Sequence, residues 1–108
     1  NNNVKPSWER IQALTPIYID KSNYAKVNDI ITTKIKEEFI FEKKIRGVNY
    51  KSYDMVVKIN CNKKEIKDLT IEAYDDKGKS KKFKGSGKWV VPEKLSTFHS
   101  VLEHVCKF

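Results

Sequence analysis

A chain with two cysteines can close one covalent loop, and here both sit where such a loop would fix the fold. Cys61 ends a strand-like run, residues 53–61, and Cys106 lies near the end of an amphipathic helix-like run, residues 95–106. Paired, they would staple a C-terminal helix to the back of a sheet. Closing a loop of about 45 residues stabilises a fold by roughly 4 kcal/mol in the chain-entropy account, a large share of the net stability of a small domain. The staple also implies an oxidising compartment. The alternative is two unpaired, buried thiols in a cytosolic protein.

Length and charge narrow the classes. The 108 residues are read as one domain, 1–108, with residues 1–6 expected to be disordered. The formal net charge is +8. No run approaches the apolar length of a transmembrane helix. No leader is visible, so export is inferred from the cysteines, and a lipid anchor upstream of residue 1 stays open.

Strand signals fill most of the chain. Residues 8–11 read as a short first strand, and 17–20 as a second that ends in a polar turn at Lys21, Ser22 and Asn23. Residues 27–38 are rich in β-branched side chains, with Ile31, Thr33 and Ile35 on one face. Residues 39–46 read equally as more strand or as loop. The clearest strand follows Gly47. There Tyr53, Met55, Val57, Ile59 and Cys61 alternate with Asp54, Val56, Lys58 and Asn60, burying one face. Residues 66–74 continue with Leu69, Ile71 and Ala73 on one face, and Asp75-Asp76-Lys77-Gly78 closes a hairpin into a basic strand at 79–84. Gly85-Ser86-Gly87 interrupts that strand, which resumes over 88–91.

Pro92 can open a helix, and Ser96 is a competing N-cap for a shorter one. Leu95, Phe98, Leu102, Val105 and Cys106 fall on one helical stripe. Sequential strands joined by tight turns favour antiparallel neighbours, and one helix can cover only one sheet face. The expected class is α+β: an antiparallel sheet of about five to six strands with one C-terminal helix packed on it. The expected core is Trp8, Tyr18, Tyr53, Val57, Ile59, Trp89, Phe98 and Leu102.

The spaced residues Trp8 and Ile11, Tyr18-Ile19-Asp20, Gly47-x-x-Tyr50-x-Ser52, Ile59-x-Cys61, Leu69 with Tyr74, Trp89-x-Val91-Pro92, Ser96 and Val105-Cys106 run through most of the chain. In this order the chain resembles the surface-adhesin protein E family of Gram-negative bacteria. The resemblance implies an antiparallel sheet with a disulfide-tied C-terminal helix, in an exported periplasmic or outer-membrane protein. It also implies a non-enzymatic binding role, because the family's best-known member is an adhesin for host extracellular-matrix proteins and plasminogen. That member can dimerise, so monomer and homodimer are both expected states. The matching residues Trp8, Cys61, Trp89 and Cys106 belong to the scaffold, so ligand contacts must lie elsewhere.

Residues 77–88 hold six lysines, Lys77, Lys79, Lys81, Lys82, Lys84 and Lys88, and no acid. Such a run can bind an acidic protein, a sulfated glycan or an anionic headgroup. It can equally be a sheet rim whose lysines prevent strands of different molecules from pairing. A second cluster, Lys43, Lys44 and Arg46 with Lys51, can extend the same surface. Nucleic acid is disfavoured: no binding motif occurs, and arginine is scarce. Gly85-Ser86-Gly87-Lys88 lacks the phosphate-loop spacing and reads as a bulge or turn.

His99 and His104 lie about 140° apart around a helix and cannot share a metal from it. His99 and Cys106 share a face, but no third group orients the histidine. Glu37 and Glu38 point to opposite faces of a strand and cannot act as a dyad. No catalytic residue, metal or cofactor is therefore assigned. The leading expectation is an exported binding protein using its lysine-rich surface. The alternative is a periplasmic structural or inhibitor-type protein for a bacterial partner.

Overall fold

The computed structural model describes residues 5–107. Six strands and one helix follow in order: β1 (Trp8–Arg10), β2 (Ile17–Val27), β3 (Ile30–Ile45), β4 (Val48–Asn60), β5 (Glu65–Tyr74), β6 (Ser80–Lys84) and α1 (Thr97–Cys106). The strands form one antiparallel meander in chain order. The class is α+β, weighted heavily to sheet. Of the expected disorder at 1–6, residues 1–4 lie outside the described residues, and Lys5 and Pro6 are exposed without regular structure.

Alternation sorts the side chains into two faces. One row across the sheet reads Ile19, Ile35, Met55, Ile71 and Phe83, and another Ile31, Ile59 and Ile66. These form the inner face, and all but Phe83, with Ile17 and Val57, meet Val101 and Leu102 of α1 in the core. Ser96 caps the helix: its hydroxyl accepts from the His99 N–H at 3.2 Å. The cap also explains why Leu95 leaves the expected stripe, since it precedes the helix, has φ +68° and is exposed. Val101 takes its place in the core.

The disulfide between Cys61 and Cys106 is formed, with Cα atoms 5.5 Å apart. A second tie is polar. Glu37, buried on the inner face, accepts from Tyr53 Oη at 2.7 Å, from Thr15 Oγ1 at 3.0 Å and from Thr97 Oγ1 in the first turn of α1 at 3.0 Å. Burial, and then the Glu37 charge, push the Tyr53 phenol well above its usual range, so it stays a donor.

Several local expectations are corrected. The polar stretch 21–23 is no turn: β2 continues through a bulge, because the Asp20 carboxylate accepts from the Ser7 and Ser22 N–H groups and the Ser22 hydroxyl. The turn falls instead at Asn28-Asp29, both with positive φ, which places Val27 in β2. Residues 39–45 are strand. Leu69 is an extra residue between the pairs Val56↔Thr70 and Val57↔Asp68, and this bulge shifts parity so that Ile66 joins Ile71 and Ala73. Residues 88–91 make only an isolated bridge, Val90 to Ile66.

Candidate functional site

The sheet face away from α1 carries the side chains that the core rejects. One row across all six strands reads Arg10, Tyr18, Lys36, Asp54, Glu72 and Lys82; the next holds Lys34, Val56, Thr70 and Lys84. Lys58 and Lys67 oppose each other one row further. Strand spacing puts Lys36 and Lys82 about 14 Å apart at the backbone. A groove of about 480 Å³ runs between them, lined by Lys34, Asp54, Glu72, Lys82 and Lys84. Burial pushes the Asp54 carboxyl up, against Lys34 and the Tyr74 hydroxyl, which donates to it at 3.2 Å.

Trp8, Tyr18 and Trp89 stand on this outer face, half-buried, and not in the core as expected. Their indole and phenol rings are satisfied by cations. Lys36 Nζ lies 4.9 Å from the ring centroids of both Trp8 and Tyr18, and Lys67 Nζ lies 4.9 Å from that of Trp89. The other expected core residues hold their places. Val57, Ile59 and Leu102 are fully buried, and Tyr53 and Phe98 pack against the core from its margin.

The lysine-rich run divides between turn and strand. Lys77 and Lys79 sit in the hairpin, whose backbone N–H groups both donate to Asp75 Oδ1 at 2.9 Å. Along β6, Lys82 and Lys84 face outward, while Lys81 shares the inner face with Phe83 and lies over its ring. Lys88 follows Gly85-Ser86-Gly87, a turn wrapped on the bulge: Ser86 donates its N–H and hydroxyl to Asp68. All six are exposed.

The second cluster, Lys43, Lys44 and Arg46, lies in the β3–β4 hairpin, at the same end of the meander as the β5–β6 turn. Lys51 and Gly78 line one depression there, so the two clusters adjoin. Sequence reading missed Lys34, Lys36, Lys58 and Lys67. The available signal was the alternation of Lys34 and Lys36 with Ile31, Thr33 and Ile35.

The groups weighed for catalysis are separated. Cys106 is half of the disulfide. His99 Nδ1 lies 3.5 Å from Glu103 and His104 Nε2 lies 3.8 Å from Glu9. Glu37 faces inward, while Glu38 accepts from Tyr18 Oη at 3.1 Å on the other face. Among the described residues no three His, Cys, Asp or Glu side chains form a metal-binding group, and no helix is long and apolar enough to cross a membrane.

The family model described as surface-adhesin protein E matches residues 8–107. No curated protein matches the chain by sequence. Among solved structures, Haemophilus influenzae protein E is similar with a TM-score of 0.64 at 13% identity, over 97% of this chain and 87% of that one. Its crystal form II gives 0.65 at 13% identity, over 97% and 91%. Protein E from non-typeable Haemophilus influenzae gives 0.61 at 13% identity, over 99% and 80%. At that identity these structures speak for the fold.

Proposed function

This chain belongs to the surface-adhesin protein E family, and from that premise we propose an exported, non-enzymatic, adhesin-like binding protein acting through its lysines. Residues 1–108 act as one domain, at the outer-membrane surface or in the periplasm. The ligand is acidic: a host extracellular-matrix protein or a sulfated glycan. It lies along β6 and the adjoining outer face, contacting Lys79, Lys82, Lys84 and Lys88, with Lys34 across the groove and Lys81 adding charge from the inner side of the same edge strand. The observation that carries this reading is the run of six exposed lysines on one edge strand and its flanking turns, with no carboxylate within residues 77–88.

Binding of this kind weakens steeply as salt rises, because at 0.1 M interactions between exposed charges are largely screened beyond about 10 Å and the range shortens further with salt. The test is affinity for an immobilised sulfated glycan across a salt series. Replacing Lys79, Lys81, Lys82 and Lys84 by Glu is expected to abolish it. Salt-independent binding, or full binding by the substituted protein, would count against the proposal.

A second reading, a structural or inhibitor-type partner of another bacterial protein, is favoured by one observation. Leu95 holds a left-handed φ of +68° while 73% exposed. It shares one groove with Leu14 and the next with Val91, both exposed. This reading expects one cognate protein, an apolar footprint on those three residues, and no affinity for sulfated glycan.

A further inference from the structure

The β3–β4 hairpin outruns the sheet that contains it. Pairing of β2 with β3 stops at Ile17↔Glu37 and pairing of β4 with β5 stops at Ser52↔Tyr74, yet β3 and β4 resume pairing beyond a register shift between Glu38 and Lys43, which leaves Ile40 and Phe41 in the bulged stretch, and continue to Ile45↔Val48. Residues 39–51 are therefore a two-stranded ribbon, closed by Arg46 and Gly47 with φ of +51° and +83°. Two-stranded ribbons are marginal in water, and this one is anchored at its root. Tyr50 is buried and meets the Phe83 ring edge-on at 6.3 Å, and Phe39 lies 5.5 Å from Tyr53.

The rest of its apolar side chains anchor nothing. Phe41 is 83% exposed, Ile40 65%, Val48 44% and Ile45 38%. Ile45 and Val48 are a directly opposed pair and so stand side by side on one face. Around them are Lys43, Lys44, Arg46 and Lys51, with Glu42 the one acid of the ribbon. Exposed apolar groups of this size on a projecting element mark a contact surface.

We propose that this ribbon docks on an anionic lipid bilayer. Ile40 and Phe41, with Ile45 and Val48, enter the boundary between headgroups and acyl chains, and the four cations pair with the headgroups. Charge selects this occupant. A second copy of the chain would set four cations against four. The apolar groups stand on a projection and not in a groove, which suits a deformable surface better than a rigid protein. This surface adjoins the β5–β6 lysines but uses different residues from those proposed for an acidic ligand, so substitutions in either can fail alone.

The test is co-sedimentation of the full chain, in about 0.1 M salt, with vesicles of phosphatidylcholine carrying a minor share of phosphatidylglycerol, against phosphatidylcholine alone. Binding to the anionic vesicles only is expected. Ile40→Ser with Phe41→Ser should weaken it about tenfold or more. Lys43→Glu with Lys44→Glu should weaken it by at least about 25-fold. Lys26→Glu with Lys63→Glu makes the same change in net charge at the opposite end of the sheet and should leave binding within about twofold. In a Phe41→Trp variant, quenching by brominated acyl chains should exceed that of the parent. The proposal is overturned by absent vesicle binding, by equal losses in the two charge variants, or by retained binding without Ile40 and Phe41. It is also overturned if those two residues instead support self-association or binding to an acidic protein with no vesicle affinity.

Discussion

Replacing Cys61 and Cys106 together by alanine is expected to cost about 4 kcal/mol of stability while leaving the fold in place. The magnitude comes from the loop. With a sequence separation of 45 between the partners, the crosslink removes about 13 cal/mol/K from the unfolded chain, close to 4 kcal/mol at 25 °C. The folded state keeps its other ties to the helix. Val101 and Leu102 stay in the core, Ser96 still caps, and Thr97 still donates to Glu37. The far-ultraviolet circular dichroism of the double variant should therefore match that of the parent. Urea unfolding is the assay. With a slope near 1.3 kcal/mol/M for a chain of this size, the midpoint should fall by about 3 M. A fall below about 0.8 M would refute the reasoning, because the crosslink would then be restraining a chain already compact when unfolded.

Three further substitutions probe the polar and steric ties. Glu37→Ala strands three hydroxyls that share one acceptor, and should lower stability by about 3 kcal/mol or more, with Glu37→Gln intermediate; thermal unfolding unchanged within about 2 °C would contradict that role. Gly85→Ala places a Cβ 2.5 Å from the Asp68 carbonyl oxygen and should cost about 1–3 kcal/mol. Gly47→Ala meets nothing within 4 Å, so its φ of +83° alone should cost about 1 kcal/mol; equal losses in urea would show that crowding at Gly85 relaxes. For Asp20, burial pushes the carboxyl up, but the hydrogen bonds from Ser22 and Ser7 outweigh it and hold it below the usual carboxylate value. Its contribution is thus present above the unfolded pKa near 3.9 and lost as pH falls through the lower folded value. Asp20→Asn should therefore be less stable at neutral pH and show a shallower acid limb in a melting series from about pH 6 to 2; parallel limbs would assign the acid sensitivity to other groups, Asp68 among them.

What could be read in advance depended on how local its cause is. The alternation of residues 53–61, the Asp75–Gly78 turn and the Ser96 cap each depend on neighbours within a few positions, and each predicts its structure. The side of β5 that faces the core does not. Its parity is reset at Leu69, where the Asp68 carboxylate holds Ser86, 18 residues away. The tryptophans were misplaced for a related reason. A large apolar ring reads as core, yet Trp8 is covered by Lys36 from two strands away and Trp89 by Lys67 of β5, contacts set by register. The lysine run of residues 77–88 was visible as a string. That Lys34 and Lys36 oppose it across a groove depends on four strands in order. The projecting ribbon was least legible, because residues 39–46 satisfy strand and loop equally until the ends of the flanking strands are known.

The meander has a temporal consequence. Each strand joins only the one made just before it, so hairpins can form in succession as a chain emerges N-terminus first, with little search between distant segments. Cys106 lies 45 positions after Cys61, so Cys61 has no intramolecular partner until the helix segment is out. Oxidation then acts as a seal on completed assembly, and premature oxidation has no intramolecular mate to consume.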